Sequence, residues 1–292
     1  MTESCIITAR INELAMRDRN PYVPWSIDEI VADAISCADA GAASIHFHGR
    51  NPISGAPDNS DVAYEAAIRR IRAVTDLLIE PPLGFPFQAP SSSRADQACK
   101  LAADLATRPH IAALDVASVS LASYDAAGKT FKNAELLFAN PISELVAFAG
   151  QLRSAGVKPV CVCWNVSSLR IVAALADMGM LDPPLWLALR FTEEGQLSGH
   201  PATPKGLRAF LDHLPDQATQ WMAVGSPASL LPILDNVLEE GGHIGIGIGD
   251  YPYPELEHPD NATLIRYTAE RIRRAGREVA SISETKQLLG ID

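Results

Sequence analysis

Residues 26–50 read SIDEIVADAISCADAGAASIHFHGR. Ser26 stands as an N-cap before an amphipathic stretch over 27–40, and the helical pattern gives way at 43–48 (ASIHFH) to a β-like run whose alternate residues share a face. Strand followed by helix is the unit of a parallel sheet, and the alternation continues along the whole chain. Strand patterns fall at 6–11, 43–48, 76–81, 112–117, 159–164, 185–191, 219–224 and 243–249. Helix patterns fall at 27–40, 60–75, 91–105, 143–155, 167–180, 204–213, 227–240 and 261–275. Eight strands, each followed by a helix, in about 250–300 residues predict an α/β fold of the (β/α)8 TIM-barrel type. A doubly wound sheet fits less well. The first strand leads into Asn12-Glu13-Leu14 instead of a GxGxxG turn, and the alternating glycines of GHIGIGIGD (242–250) sit inside a strand. No Gly/Ser- or Pro-rich linker divides the chain, so 1–292 is expected to be one domain, with a short closing helix over Ser281–Ile291 that caps the bottom of the barrel or meets a neighbour.

The composition agrees. With 292 residues, 47% hydrophobic and 20% charged, the chain can close a sizeable core, which excludes disordered and fibrous classes. Its apolar runs, such as Leu185–Leu189, fall well short of the roughly 18–20 residues that span a bilayer, and no membrane segment is expected. Met1–Arg10 enters a β-like run without a basic segment or a small-residue cleavage site, so a cytoplasmic protein is expected. Lys plus Arg total 24 against 35 Asp plus Glu, a net charge of -11, and no basic patch is visible, so nucleic acid is not an expected partner. The five cysteines are odd in number and form no CxxC pair, as reduced thiols would; Cys161 and Cys163 share a strand face as small buried hydrophobes.

In TIM barrels reactive side chains stand at the C-terminal ends of the strands. Those ends present Asn12 and Glu13, His46 and His48, Glu80, Asp115 and Ser118, Asn165, Arg190 and Asp250. His46 and His48 lie two apart on a strand, so both imidazoles leave one face and can converge on a metal ion. The alternative is a hydrogen-bonded pair lining an organic pocket. Barrel closure makes the eighth strand a neighbour of the first, gathering Glu13, His46, His48 and Asp250 at one side of the mouth. A carboxylate there serves as ligand or as general base. His200 follows the sixth strand within reach of the pocket, and Trp164 stands either in the pocket wall or in the core.

Five segments together resemble the β-keto acid cleavage enzymes, of the 3-keto-5-aminohexanoate cleavage type: ITARINE (7–13), NPYVPWSIDEI (20–30), AGAASIHFHGRNPISGAP (40–57), GGHIGIGIGD (241–250) and GREVASISETKQLLGI (276–291). The resemblance runs end to end, is most specific around the two histidines and is weakest between about 80 and 200. It implies a (β/α)8 barrel that forms a homo-oligomer, dimer or tetramer, and binds a divalent metal, usually zinc. It also implies the reaction: a β-keto acid and acetyl-CoA give acetoacetate and an acyl-CoA by a retro-Claisen route. On this resemblance His46 and His48 are the metal-binding histidines, Asp250 is the general base and Glu13 an active-site glutamate. Asp115 and Ser118 fall where substrate-contacting residues follow the fourth strand. Arg190 and Asn165 complete the expected substrate contacts.

The departures from the family are specific. The eighth strand of the family carries an arginine that orients base and substrate and a glutamate that is the third metal ligand. Here those positions are Gly245 and Gly249, and with Gly247 they predict a hollow pocket wall. Pro81-Pro82-Leu83-Gly84 replaces the Ser-Thr-Gly-Gly type turn that holds the substrate carboxylate, and Cys161, Cys163 and Asn165 replace acidic residues on the fifth strand. Glu13 or Asp250 is left to complete the metal site, or waters fill its open positions, and if Asp250 is the ligand the base falls to Glu80 or Glu13. Arg190 and Arg50 are the substitutes for the lost cation, with Arg50 assigned first to anchoring the RNPISGAP loop. Two other readings stay open: a metal-dependent lyase or hydrolase that does not use CoA, and a non-catalytic barrel that binds a ligand without turning it over.

Overall fold

The computed structural model describes residues 4–81 and 91–291, with the side chains of 91–93 excepted. Eight strands form the barrel: β1 (Ile7–Arg10), β2 (Ser44–His46), β3 (Leu78–Glu80), β4 (Ile111–Asp115), β5 (Lys158–Cys163), β6 (Leu185–Thr192), β7 (Thr219–Gly225) and β8 (His243–Ile246). They pair in parallel in the order β3-β2-β1-β8-β7-β6-β5-β4, a barrel closed by ladders at every junction except β3 with β4. His110 bridges that junction. Its backbone N–H donates to Ile79 O (3.0 Å), and its ring Nδ1 accepts from Ile79 N–H (3.0 Å). Burial, then Arg72 and Lys286, lowers the His110 pKa to about 4, which keeps Nδ1 free to accept.

Around the barrel lie α1 (Ile27–Ala40), α2 (Asp61–Val74), α3 (Ser91–Ala102), α4 (Ile142–Ser154), α5 (Val166–Asp177), α6 (Pro204–Leu211), α7 (Leu234–Glu239) and α8 (Asn261–Arg274). The helices start where the caps are. Ser26 accepts from Glu29 N–H while the Glu29 side chain returns to the Ser26 backbone, and Ser60, Asn165, Thr203 and Asp260 cap α2, α5, α6 and α8. Each such cap is worth about 1 kcal/mol. The α1 residues Ile30, Val31, Ala34, Cys37 and Ala40 are buried at helical spacing and face the sheet, as the periodicity of 27–40 requires. The expected TIM barrel is therefore present, and the corrections are local: the segment 227–240 is a 3-10 turn (Leu231–Ile233) leading into the short α7, β2 ends at His46 so that His48 lies just beyond it, and β8 ends at Ile246, leaving Gly247 and Gly249 in the turn that follows.

The barrel interior changes character along its axis. At the N-terminal end Ile6, Leu78, Ile111, Val160, Trp186, Ala188, Met222 and Val224 form an apolar plug, closed from below by Ala280 and Leu289. Leu289 belongs to α9 (Ile282–Leu289), whose Ser281–Glu284 capping box starts the closing helix. At the C-terminal end the interior turns polar, and the site lies there. Between β4 and α4 the chain makes a β excursion that its sequence did not announce, pairing Ser123–Asp125 with Thr130–Lys132 and Val119–Ser120 with Leu137–Phe138. The cysteines are free thiols, with Cys161 and Cys163 buried. Among the described residues no helix is long and apolar enough to cross a membrane.

Candidate active site

Register builds the site. Arg10, His46 and Glu80 are Cα partners on β1, β2 and β3, so paired residues on adjacent strands send three polar side chains inward at one level. Each guanidinium nitrogen of Arg10 meets a different carboxylate. Nε donates to Asp250 Oδ2 (2.6 Å), Nη2 donates to Glu13 Oε1, and Nη1 lies 3.7 Å from Glu80 Oε1. Asp250 Oδ1 is buried and has no hydrogen-bond partner among the described residues.

Glu13 sits just beyond β1 with a positive φ of 27°, a conformation that a non-glycine residue adopts only when its surroundings impose it. Arg50 imposes it. Its Nη1 donates to Asn12 O (3.0 Å) and Glu13 O (2.7 Å), Nη2 to Ala15 O (2.8 Å) and Nε to Gly55 O (2.6 Å), tying the first-strand loop to the RNPISGAP loop. Asn12 fixes the other side: its Oδ1 accepts from His48 N–H (2.7 Å) and its Nδ2 donates to His48 O (2.9 Å). Arg50 thus anchors both loops instead of supplying a pocket cation.

The carboxylate held this way lies between the two imidazoles. Glu13 Oε2 is 2.8 Å from His48 Nε2, and Oε1 is 3.1 Å from His46 Nε2. His46 Nδ1 is 3.3 Å from Glu80 Oε1, and neither His46 nitrogen is aligned for a hydrogen bond. One donor atom each from Glu13, His46 and His48 lies within 4.8 Å of the others. Two imidazoles and a carboxylate converging in a buried pocket, with an orphaned ring nitrogen, suit a divalent cation that keeps open positions for substrate. Glu80 is placed to orient the His46 ring from behind.

Electrostatics reinforces this arrangement. Burial and Arg10 disfavour the His46 imidazolium, but Glu13 and Glu80 outweigh them and raise its pKa to about 9. For His48 burial wins over Glu13, and its pKa is lowered. The metal-free pair therefore carries one extra proton on His46. Burial pushes the Glu13 carboxyl up, yet Arg10, His48 and His46 bring it well below the usual carboxylate range. Burial raises Asp250 to about 6, with Arg10 opposing and Glu13 adding to the rise.

The remaining sequence-derived residues divide. Arg190 joins Glu13 and Asp250 in lining a cleft of about 370 Å³. Its Nε and Nη2 donate to Ser226 O (3.0 Å) and Oγ (2.8 Å), and its guanidinium stacks on the buried Trp164 ring at 3.9 Å. Trp164 Nε1 donates to Asp115 Oδ1 (3.0 Å), so Asp115 forms part of this aromatic wall. Ser118 Oγ accepts from Asn140 N–H (2.7 Å), and the Asn165 oxygen is engaged as the N-cap of α5; neither is brought to the Glu13 cluster. His200 packs edge-on against Phe210. Pro82, Leu83 and Gly84 lie outside the described residues.

Two expectations are corrected. The glycine wall of the eighth strand is not hollow: a Cβ on Gly245 would meet Val224 Cγ1 at 2.6 Å and Arg10 Cδ at 3.3 Å, and one on Gly249 would meet Asn12 N at 2.5 Å and Glu13 N at 2.6 Å. The cation facing Asp250 is neither Arg50 nor Arg190 alone but Arg10, which a list of strand-end residues passes over. Its signal was present: Thr8 and Arg10 alternate on one face of a strand that is wholly buried, so Arg10 had to point into the barrel.

Fold and site together define a TIM-barrel enzyme with a histidine–carboxylate metal-binding candidate at its C-terminal mouth. Residues 4–291 match the family described as beta-keto acid cleavage enzyme, and the chain belongs to that family. It is accordingly a carbon–carbon bond-cleaving, acyl-transferring enzyme. It is 26% identical over 293 residues to the 3-keto-5-aminohexanoate cleavage enzyme of Acetoanaerobium sticklandii, covering 99% of each chain. To the 3-oxoadipate:acetyl-CoA acetyltransferase of Cupriavidus necator it is 25% identical, covering 100% of this chain and 96% of the other. Among solved structures, the apo structure of ObcA superposes with a TM-score of 0.71 at 15% identity, over 93% of this chain and 66% of that one, a likeness of fold.

Proposed function

We propose that this protein is a metal-dependent β-keto acid cleavage enzyme that converts a β-keto acid and acetyl-CoA into acetoacetate and the CoA ester of the remaining acyl group. The observation that carries this reading is the convergence of Glu13, His46 and His48, with Glu13 also lining the cleft that holds Asp250, whose Oδ1 is unpartnered among the described residues. Glu13, His46 and His48 would hold the cation, with zinc the expected metal. When bound, it polarises the substrate ketone and stabilises negative charge developing on that oxygen.

The chain's own groups supply the rest. Asp250 Oδ1, free of a hydrogen-bond partner among the described residues, takes the C2 proton of the β-keto acid as general base. The C2 carbanion attacks the acetyl carbonyl and CoA leaves as the thiolate. The thiolate then attacks the ketone carbon, the C2–C3 bond breaks, and acetoacetate departs after C2 recovers a proton from Asp250. Arg190, held by Ser226 and Trp164, is placed to meet the substrate carboxylate. Asp115 and Trp164 face the acyl end, while Ser118 and Asn165 act one step back through Asn140 and α5. The names of the relatives support acetyl-CoA as co-substrate.

The test is release of an acyl-CoA from acetyl-CoA and a panel of β-keto acids by metal-loaded protein, with metal content measured in parallel. Acyl-CoA formation that disappears in a His46→Ala/His48→Ala variant along with the metal is the expected result. Turnover without CoA would replace this reading with a CoA-independent lyase or hydrolase.

A further inference from the structure

We propose that Arg10 is the positioning residue of the cleavage site, fastening Asp250 by one oxygen so that the other is presented to the substrate. The inference rests on Asp250 being the base, and it deepens that assignment. Three observations carry it. The guanidinium distributes its three nitrogens over Asp250, Glu13 and Glu80, one carboxylate each, so it fixes the spacing between the base, the ligand carboxylate and the group behind His46. Its bond goes to Asp250 Oδ2 and leaves Oδ1 unpartnered, the state a general base requires. Strand β8 and the turn after it are shaped around Arg10. A Cβ on Gly245 would press on Val224 and Met222 and come within 3.3 Å of Arg10 Cδ, a Cβ on Gly247 would overlap the Arg10 carbonyl, and Gly249 N–H donates to that same carbonyl (3.2 Å).

The planar fork matters as much as the charge. A lysine would offer one ammonium from a flexible stem and could not hold three carboxylates at fixed separations. Arg10 touches no reacting atom itself; it acts through the carboxylates.

The experiment compares metal-loaded wild type with Arg10→Ala, measuring acyl-CoA formation and exchange of the β-keto acid C2 protons into deuterium oxide. Bound metal and thermal unfolding are followed alongside. Arg10→Ala is expected to lose about 100-fold in kcat with KM for acetyl-CoA little changed and metal retained, the scale of loss for a misplaced catalytic group. Ethylguanidinium, filling the space vacated, should restore kcat about tenfold in a saturable manner and raise the unfolding midpoint of the variant but not of wild type. Ethylammonium should not restore kcat. If Arg10→Ala does not fold, Arg10→Lys carries the test, with kcat expected about tenfold or more below wild type and metal retained. A variant within threefold of wild-type kcat, or ethylguanidinium that stabilises without restoring turnover, overturns the assignment while the cleavage reading stands. A wild type inactive against the whole panel sinks that reading, and the Arg10 assignment with it.

Discussion

In the proposed metal site a proton and a metal ion would compete for the His46 imidazole, and the structure sets the scale of that competition. Buried between Glu13 and Glu80, His46 has its pKa raised to about 9, whereas a metal ligand must be the neutral imidazole. At pH 7 only about 1% of the metal-free protein offers that form, and raising the pH to 9 brings it to about half. Metal affinity is therefore expected to tighten about 50-fold between pH 7 and pH 9, with one proton released per ion bound, and to level off above. The same shift sets the stability of the metal-free protein. Moving from 6.5 to about 9 is a rise of about 2.5 units, or about 3 kcal/mol. Because the folded-state pKa is the higher one, this stabilisation is complete below pH 6.5 and is lost as the pH climbs through 9. The free energy is shared with Glu13 and is counted once. Cobalt(II) titration against a chelator of known pH dependence measures the first effect, and urea unfolding in excess chelator the second. An affinity that changes less than threefold from pH 7 to 9, or a metal-free stability flat over the same range, would refute the electrostatic account of the site.

Other substitutions separate the roles. Glu13→Gln removes the carboxylate between the imidazoles and is expected to weaken metal binding by at least about 100-fold, read by the same titration. Asp250→Asn should keep the metal and lower kcat by about 10²–10⁴, the range for loss of a general base; loss of metal would instead make Asp250 a ligand. Arg190→Met removes a charged donor from the cleft, and KM for the β-keto acid should rise about tenfold or more with metal content unchanged. Gly247→Ala forces a methyl against the Arg10 carbonyl at the β1–β8 junction and should cost roughly 1–3 kcal/mol in urea unfolding.

The strand and helix patterns were legible because each carries its own local signal. Ser26, Ser60, Asn165, Thr203 and Asp260 announce helices, and short apolar runs mark the strands between them. Local signals fail where the partner is distant. The excursion between β4 and α4 has strands of two or three residues, too short for a period-two pattern to register. His110 reads as an isolated histidine until its ring is seen to occupy the β3–β4 junction, 31 residues from Ile79.

The site divides along the same line. His46 and His48 were legible together because they stand two apart at the end of β2 and just beyond it, and Glu13 because it follows the end of the neighbouring β1. The meaning of Gly245, Gly247 and Gly249 was not, since Val224, Met222 and Arg10 crowd the first and the backbone of Arg10, Asn12 and Glu13, from the opposite end of the chain, crowds the other two. Arg10 lies 240 positions from Asp250 in sequence and 2.6 Å away in the fold. A barrel mouth is a shared surface on which adjacent strands can supply the same point, so a side chain absent from β8 leaves room that β1 can occupy. Gly249 makes the case from the other side: any side chain there would collide with the backbone of Asn12 and Glu13. The first-strand loop and a bulky residue at 249 therefore exclude one another. In this chain the carboxylate between the histidines and the cation facing Asp250 both come from the first strand and its loop, which makes the glycines of β8 and the turn after it a condition of the site rather than a loss from it.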